Sequence, residues 1–208
     1  MAPSHSDHLK ASPPLFDSAL LDRLSRVHPV VPAVMFVPVV VATMVLGLAD
    51  GLGAVTTIGL VAGGLVSWTL TEYWLHRLVF HWQPDNAVGR RMHHIIHGIH
   101  HDHPNDPLRL VMPPGASIPL AALFFGLFAV VLGLPHALPA FSGFIAGYLV
   151  YDYTHYYLHH RVPQGPIGRR LREQHMRHHF QDHRFGYGVS SPVWDRVFGT
   201  LPPLRRSR

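Results

Sequence analysis

Hydrophobic and polar residues fall in long blocks along this chain. Val30 to Ala49 is twenty residues without a charge, enough for one helix to cross a bilayer with a hydrocarbon core about 30 Å thick. Pro32 and Pro38 lie inside the run, and spanning helices tolerate such kinks. Asp50-Gly51-Leu52-Gly53 reads as a tight turn. A second apolar run starts at Ala54 and continues past Glu72 to about Trp82. As one helix it would be about 43 Å long at about 1.5 Å per residue, so its last turns are expected to stand clear of lipid. Residues 116–134 and 137–158 form a third and a fourth run, separated only by Leu134-Pro135-His136.

The pattern predicts an all-α integral membrane protein with four transmembrane helices in two hairpins, over about 30–49, 54–75, 116–134 and 137–158. The polar stretches 76–115 and 159–208 are then left to form a cap on one side. Residues 1–14 read as disordered. From Leu15 to Val27, Phe16, Leu20, Leu21 and Leu24 have helical spacing; that suits either a helix lying on the membrane surface or an ordinary packing helix. Residues 1–28 are thus a tail with a candidate interfacial helix, and 29–208 the main domain. The polar start, with Pro3, Pro13 and Pro14, gives no expectation of a cleavable signal peptide.

Charge orients this arrangement. All 17 Lys and Arg residues, of which only Lys10 is lysine, fall in segments on one side, and the two turns on the far side hold only Asp50. By the positive-inside rule the shared side is the cytoplasm, with both termini and the cap there. The net charge of +5 suits an anionic membrane surface better than nucleic acid, and no nucleic-acid partner is expected.

The 208 residues include no cysteine, which excludes disulfides, thiolate zinc sites, iron–sulfur clusters and cysteine nucleophiles. They include 19 histidines, and neutral imidazole is the commonest metal ligand. Most lie in four motifs: Glu72-x-x-x-His76-Arg77-x-x-x-His81; His93-His94-x-x-His97-x-x-His100-His101-x-His103; Asp152-x-x-His155-x-x-x-His159-His160; and His175-x-x-His178-His179-x-x-x-His183. The predicted topology places all four at or just beyond a helix end on the cytoplasmic side.

Histidines at i and i+4, such as His155 and His159, share a helix face and can grip one ion. The triplets His97/His100/His101 and His175/His178/His179 offer the same, with a neighbouring ring free to reach a second ion. His76 and His81 are five apart, about 140° around a regular helix, and can share a metal only if the helix loosens or ends between them. These ten imidazoles suit two metal ions, and an all-nitrogen set accepts iron, zinc, copper or nickel. Glu72, Asp152 and Asp182 are placed to orient rings by accepting their outward N–H. His5, His8, His28 and His136 are tail, boundary and turn residues. His93, His94, His103, His160 and His183 read as supporting or surface positions. The tyrosine run from Tyr148 to Tyr157 reads as interfacial packing, with the lining of a substrate path as the alternative. A metal carrier would need polar or charged groups near the membrane midplane, and the runs 30–49 and 116–134 carry no charge.

With these motifs in hand, the chain resembles the fatty acid hydroxylase and sterol desaturase superfamily, and within it the fatty acid 2-hydroxylase branch. The carriers are Glu72-Tyr-Trp-Leu-His76-Arg77 with Phe80-His81, His97-Gly-Ile-His100-His101, Arg109-Leu-Val-Met-Pro-Pro114, Tyr151-Asp-Tyr-Thr-His155-Tyr156-x-x-His159-His160, His175-x-x-His178-His179-Phe180, Phe185-Gly-Tyr-Gly-Val-Ser-Ser191 and Trp194-Asp195-x-Val-Phe198-Gly199-Thr200. The histidine motifs indicate the superfamily, which includes sterol desaturases and carotenoid hydroxylases. The Arg109–Pro114 and Trp194–Thr200 stretches favour the 2-hydroxylase branch.

The resemblance implies an O2-dependent monooxygenase acting on a fatty acid or acyl lipid, at C2. It implies two iron ions held by His76, His81, His97, His100, His101, His155, His159, His175, His178 and His179, with zinc able to replace iron in purified samples. Some members carry a fused cytochrome b5 domain with a His-Pro-Gly-Gly haem motif; here His28-Pro29 is followed by Val30-Val31. A separate electron donor, cytochrome b5-like or ferredoxin-type, is therefore expected.

Overall fold

The computed structural model describes residues 4–203, and every element among them is helical: α1 (His5–Lys10), α2 (Ala19–Leu24), α3 (Val30–Ala49), α4 (Ala54–Leu75), α5 (Ala87–His93), α6 (Ile99–Asp102), α7 (Pro114–Leu132), α8 (Leu134–His160), α9 (Pro166–Phe180) and α10 (Val193–Val197). Two single π-helical turns, His76–Phe80 and His94–Gly98, follow α4 and α5 directly. The helices form two compact units, and α4 and α8 contribute residues to both.

One unit comprises Phe16–Thr69 and Pro107–Tyr153. Among the described residues, three helical stretches are long and apolar enough to cross a membrane: Val30–Ala49, Ala54–Phe80 and Pro114–Leu132. Their outward faces carry exposed Val34, Val41, Val45, Val55, Ile58, Leu123, Leu127 and Val130. A surface this apolar belongs in lipid rather than water, and the chain is a membrane protein. Sequence boundaries shift slightly. Gly51, at φ 80°, supports the turn after α3, and Gly133, at φ 75°, alone separates α7 from α8. The expected Leu134-Pro135-His136 turn is instead the first turn of α8, where proline costs no hydrogen bond.

The fourth expected span, now α8, is 27 residues long and is not one of those three stretches. Its composition follows from its burial. Ala137, Ala140, Phe141, Phe144, Ile145, Tyr148 and Tyr151 are all buried, so its face is chosen for protein neighbours rather than lipid. Trp68 of α4 meets Phe144 and Tyr148 edge-on at 5.2 and 5.3 Å, and Phe36 of α3 meets Tyr148 at 5.3 Å. Ser142 Oγ donates to the Val40 carbonyl at 3.0 Å, and the Tyr153 hydroxyl to that of Pro29 at 2.8 Å. The backbones of α4 and α8 touch: a Cβ on Gly64 would lie 1.9 Å from the Ala140 carbonyl oxygen, and one on Gly143 2.1 Å from that of Val61. Such close crossings through small residues are how apolar helices associate without a hydrophobic drive between them.

The same unit holds Arg109, buried and paired with Asp22 at 2.6 Å. Asp22 also takes Arg26 at 3.0 Å. Helix α2 is only six residues, and its Leu20, Leu21 and Leu24 are exposed.

The other unit comprises the residues up to Leu15, Leu70–Asp106 and those from Thr154 onward. Part of the tail expected to be disordered is helical here. Ser4 and Asp7 form a capping box at the start of α1. The helix is tied down by the His103 ring donating to the His8 carbonyl at 2.7 Å and by Asn105 N–H donating to that of Leu9 at 3.0 Å.

Candidate metal centre

Ten histidines converge in the second unit as two groups of five: His76, His81, His97, His101 and His178 in one, His100, His155, His159, His175 and His179 in the other. Within each group every ring offers one nitrogen, and these nitrogens lie within 4.8 Å of one another. They are the ten that spacing singles out in the sequence. Seven are buried, and His81, His101 and His179 are partly so.

Local backbone geometry explains the grouping. The helix does loosen between His76 and His81: the π turn closes with His81 N–H on the His76 carbonyl at 3.2 Å. That wider turn brings residues five apart onto one face, and the two Nε2 atoms lie 3.2 Å apart. The i,i+4 pairs His97/His101, His155/His159 and His175/His179 each serve a single group, while the intervening His100 and His178 cross to the opposite one.

The ring contacts fit a cation. His76 Nδ1 donates to the Tyr187 carbonyl and His178 Nδ1 to that of Phe185, both at 2.7 Å. A carbonyl only accepts, so both rings turn an unprotonated Nε2 inward. His81 Nε2 faces both, at 3.2 and 2.9 Å, and a single N–H there can satisfy one of them only. His97 Nε2 likewise faces His76 and His101 at 3.2 and 3.1 Å. In the other group His175 Nε2 faces His159 and His179 at 2.8 and 3.1 Å, and His179 also faces His100 at 3.1 Å. In the group of His76, more lone pairs converge than protons can satisfy.

Electrostatics keeps these lone pairs available. Burial, reinforced by the neighbouring imidazoles, lowers His100 to about 3 and His101 to about 2. For the same reasons His97, His175 and His179 lie well below the usual histidine range. Neutral imidazole is the metal-binding form.

The three carboxylates expected to orient rings do other work, and that expectation is corrected. Glu72 accepts the backbone N–H groups of Val189 and Ser190, at 2.6 and 2.8 Å, and the Ser190 hydroxyl. Asp152 accepts the Tyr148 hydroxyl at 2.9 Å. Asp182 is paired with Arg184 at 2.8 Å, whose hydrogen bonds hold it down at about 2. Ring orientation comes instead from the Phe185 and Tyr187 carbonyls, whose loop is fixed by Glu72 and by Asp195. Asp195 accepts from Tyr187 N–H at 2.9 Å, Gly188 N–H at 2.8 Å and the Thr200 hydroxyl at 2.8 Å. Sequence reasoning missed these residues because the orienting atoms belong to the backbone. The available signal was a lone aspartate shortly after Phe185-Gly-Tyr-Gly.

The flanking histidines lie around the centre. His183 stacks on His81 at 5.6 Å, and His93 Nδ1 donates to the Phe80 carbonyl at 3.0 Å. His160 stacks on Tyr156 at 4.1 Å, and His94 is 3.5 Å from Asp102.

Residues 61–200 match the model of the fatty acid hydroxylase family. A dihydroceramide fatty acyl 2-hydroxylase of Arabidopsis thaliana, FAH1, is 42% identical over 176 residues, covering 84% of this chain and 74% of that protein. The ceramide very long chain fatty acid hydroxylase of Saccharomyces cerevisiae is 40% identical over 195 residues, 92% of this chain and 50% of that one. The human fatty acid 2-hydroxylase is 41% identical over 152 residues, 70% of this chain and 40% of that protein. Among solved structures, full-length scs7p, in which only the hydroxylase domain is visible, superposes with a TM-score of 0.86 at 38% identity, covering 96% of this chain and 76% of that one.

Proposed function

The chain belongs to the fatty acid hydroxylase family, and we propose that it is an O2-dependent membrane monooxygenase that hydroxylates C2 of the acyl chain of a fatty acid or acyl lipid. The observation that carries this reading is the pair of five-histidine groups, because putting an oxygen atom from O2 into a C–H bond needs a redox centre, which acid–base side chains do not supply. The similarity to three named acyl hydroxylases supports the substrate class.

The ten histidines would hold two iron ions, one per group of five. When bound, the irons supply the oxygen activation that no side chain can. The chain's own part is to keep its rings neutral, aim their lone pairs and limit water. His76 and His178 are aimed by the loop carbonyls, and burial of seven rings excludes solvent from the nitrogens. Zinc competes for such nitrogens on affinity grounds, so zinc in a purified sample is compatible with an iron enzyme.

The domain runs over 29–208, with spans α3, α4, α7 and α8 and a cap made of 76–115 and 159–208. The termini and cap lie in the cytoplasm, supported by the confinement of all 17 basic residues to one side. The exposed leucines of α2 lie in the membrane interface. The electrons it needs come from a separate carrier, cytochrome b5-like or ferredoxin-type.

The test is lipid mass spectrometry. The protein and its His155→Ala variant are expressed, with iron and an electron donor, in a host lacking 2-hydroxy lipids. New 2-hydroxy fatty acids after hydrolysis, from the wild type alone, are the expected result. Hydroxylation of an added sterol or carotenoid instead would move the chain to another branch of the superfamily, and no product at all would remove the enzyme reading.

A further inference from the structure

The two histidine groups are alike in ring count but not in how their rings are held. In the group containing His76, two rings have their outer nitrogen fixed by a carbonyl at 2.7 Å, His76 by Tyr187 and His178 by Phe185. In the other group, the outer nitrogens of His159, His175 and His179 are buried and, like that of His81 in the first, have no hydrogen-bond partner among the described residues.

The carbonyls that hold the first group sit on an unusually constrained loop. Four consecutive backbone N–H groups are captured by two buried carboxylates: Tyr187 and Gly188 by Asp195, Val189 and Ser190 by Glu72. Asp195 is 1% exposed and Glu72 3%. The loop is closed further by Gly186 N–H on the Thr200 carbonyl at 2.8 Å and Thr200 N–H on that of Asp195 at 2.7 Å. A Cβ at Gly188 would fall 2.1 Å from the Ser191 carbonyl oxygen, so the loop passes where only glycine fits. Anything that shifts it moves both orienting carbonyls together.

We infer that the two metal positions are inequivalent, the His76 group binding the tighter ion, and that Glu72 and Asp195 are positioning residues for that group alone. The inference rests on the reading of the two groups as metal positions. Partners on the outer nitrogen of a ligating histidine fix its tautomer and ring orientation, and losing them typically costs about 10- to 100-fold in metal affinity. That effect is local to the rings whose outer nitrogens are held.

The experiment counts zinc per chain. Purified full-length protein is loaded with zinc in detergent and dialysed against graded chelator. The wild type is expected to lose its ions in two steps separated by at least about tenfold in free zinc, with a plateau at one ion. His159→Ala should abolish the weak step and His178→Ala the tight one. Asp195→Asn, the same shape with a donor in place of one acceptor, should weaken the tight step by about 10- to 100-fold and leave the weak step in place. Ser190→Ala, which removes one contact to Glu72, should shift it the same way by less, and it serves if Asp195→Asn does not fold. A single step for both ions in the wild type would overturn the inference while leaving the metal reading intact. So would a shift of both steps together, or of neither, in the loop variants. Failure of the wild type to retain any zinc would remove the metal reading and the inference with it.

Discussion

The Nε2 atoms of His76 and His81 lie 3.2 Å apart across a π turn, although the two residues are five positions apart in the chain. Neither ring could reach that geometry from a regular helix. His81→Ala should therefore reduce acyl hydroxylation below detection by product mass spectrometry. His183→Ala removes only the ring stacked on His81 and should cost roughly tenfold or less, the low end for groups that support a metal ligand.

Gly64 and Gly143 let the α4 and α8 backbones touch. Replacing either with alanine puts a methyl within 2.1 Å of a carbonyl oxygen and should destabilise by about 1–3 kcal/mol, the usual cost of overpacking. Gly63→Ala meets nothing within 4 Å and should not lower Tm. Thermal unfolding in detergent compares the three, and equal Tm values would show that the helices separate freely.

Asp22 and Arg109 form an ion pair in which the arginine side chain is 3% exposed. Asp22→Ala takes the carboxylate away from that buried guanidinium and should cost about 3–5 kcal/mol, as removal of one partner from a buried pair does. Arg26→Ala breaks the more exposed pair with Asp22 and should cost less than about 1 kcal/mol. Chemical denaturation of the two variants reads the difference directly.

Acid should destabilise the metal-free protein. His100 and His101 are held neutral, at about 3 and about 2 against an ordinary 6.5. A histidine with a depressed folded value contributes stability that is complete above its unfolded value and lost as pH falls below it, because the unfolded chain takes up protons first. Tm of chelated protein should thus be flat above about pH 7 and fall steadily from about 6.5 downward. Metal release should follow the same direction, since protons and metal compete for one lone pair.

Topology can be read by labelling, and the absence of cysteine makes single introduced thiols clean probes. The Leu52→Cys variant should react with a membrane-impermeant maleimide in intact cells, and Asp85→Cys only after permeabilisation. The opposite pattern would invert the proposed orientation.

The legible parts of this chain were those coded by side-chain spacing. The i,i+4 pairs and the apolar runs follow from helix geometry alone, so His155 with His159, and α3 with α7, could be placed from side-chain spacing. The π turn could not, because its register is a backbone property that the residues Leu78 and Val79 do not announce. The same holds for the orienting carbonyls of Phe185 and Tyr187: carbonyls are common to all residues, and their contacts to His178 and His76 depend on a loop fixed by Glu72 from far upstream. Spacing marks Glu72 as a carboxylate able to accept a ring N–H, yet its partners are a run of backbone N–H groups rather than a ring. Helix α1 shows the converse. Its capping box, Ser4 and Asp7, is visible in the sequence, but six residues are too few to hold a helix alone, and the contacts to His103 and Asn105 that fix it are long-range.

His100 and His101 are adjacent in the chain and face different groups, as do His178 and His179. Helices α6 and α9 each therefore supply both groups from consecutive residues, one rise of about 1.5 Å and one rotation of about 100° apart. The distance between the two centres is thereby written into the pitch of the α-helix itself. Twisting either helix about its axis would draw a ring toward one centre while pulling its neighbour from the other, so such motion is resisted in both senses. Substitutions elsewhere in the protein can reshape the space offered to a lipid without altering that spacing.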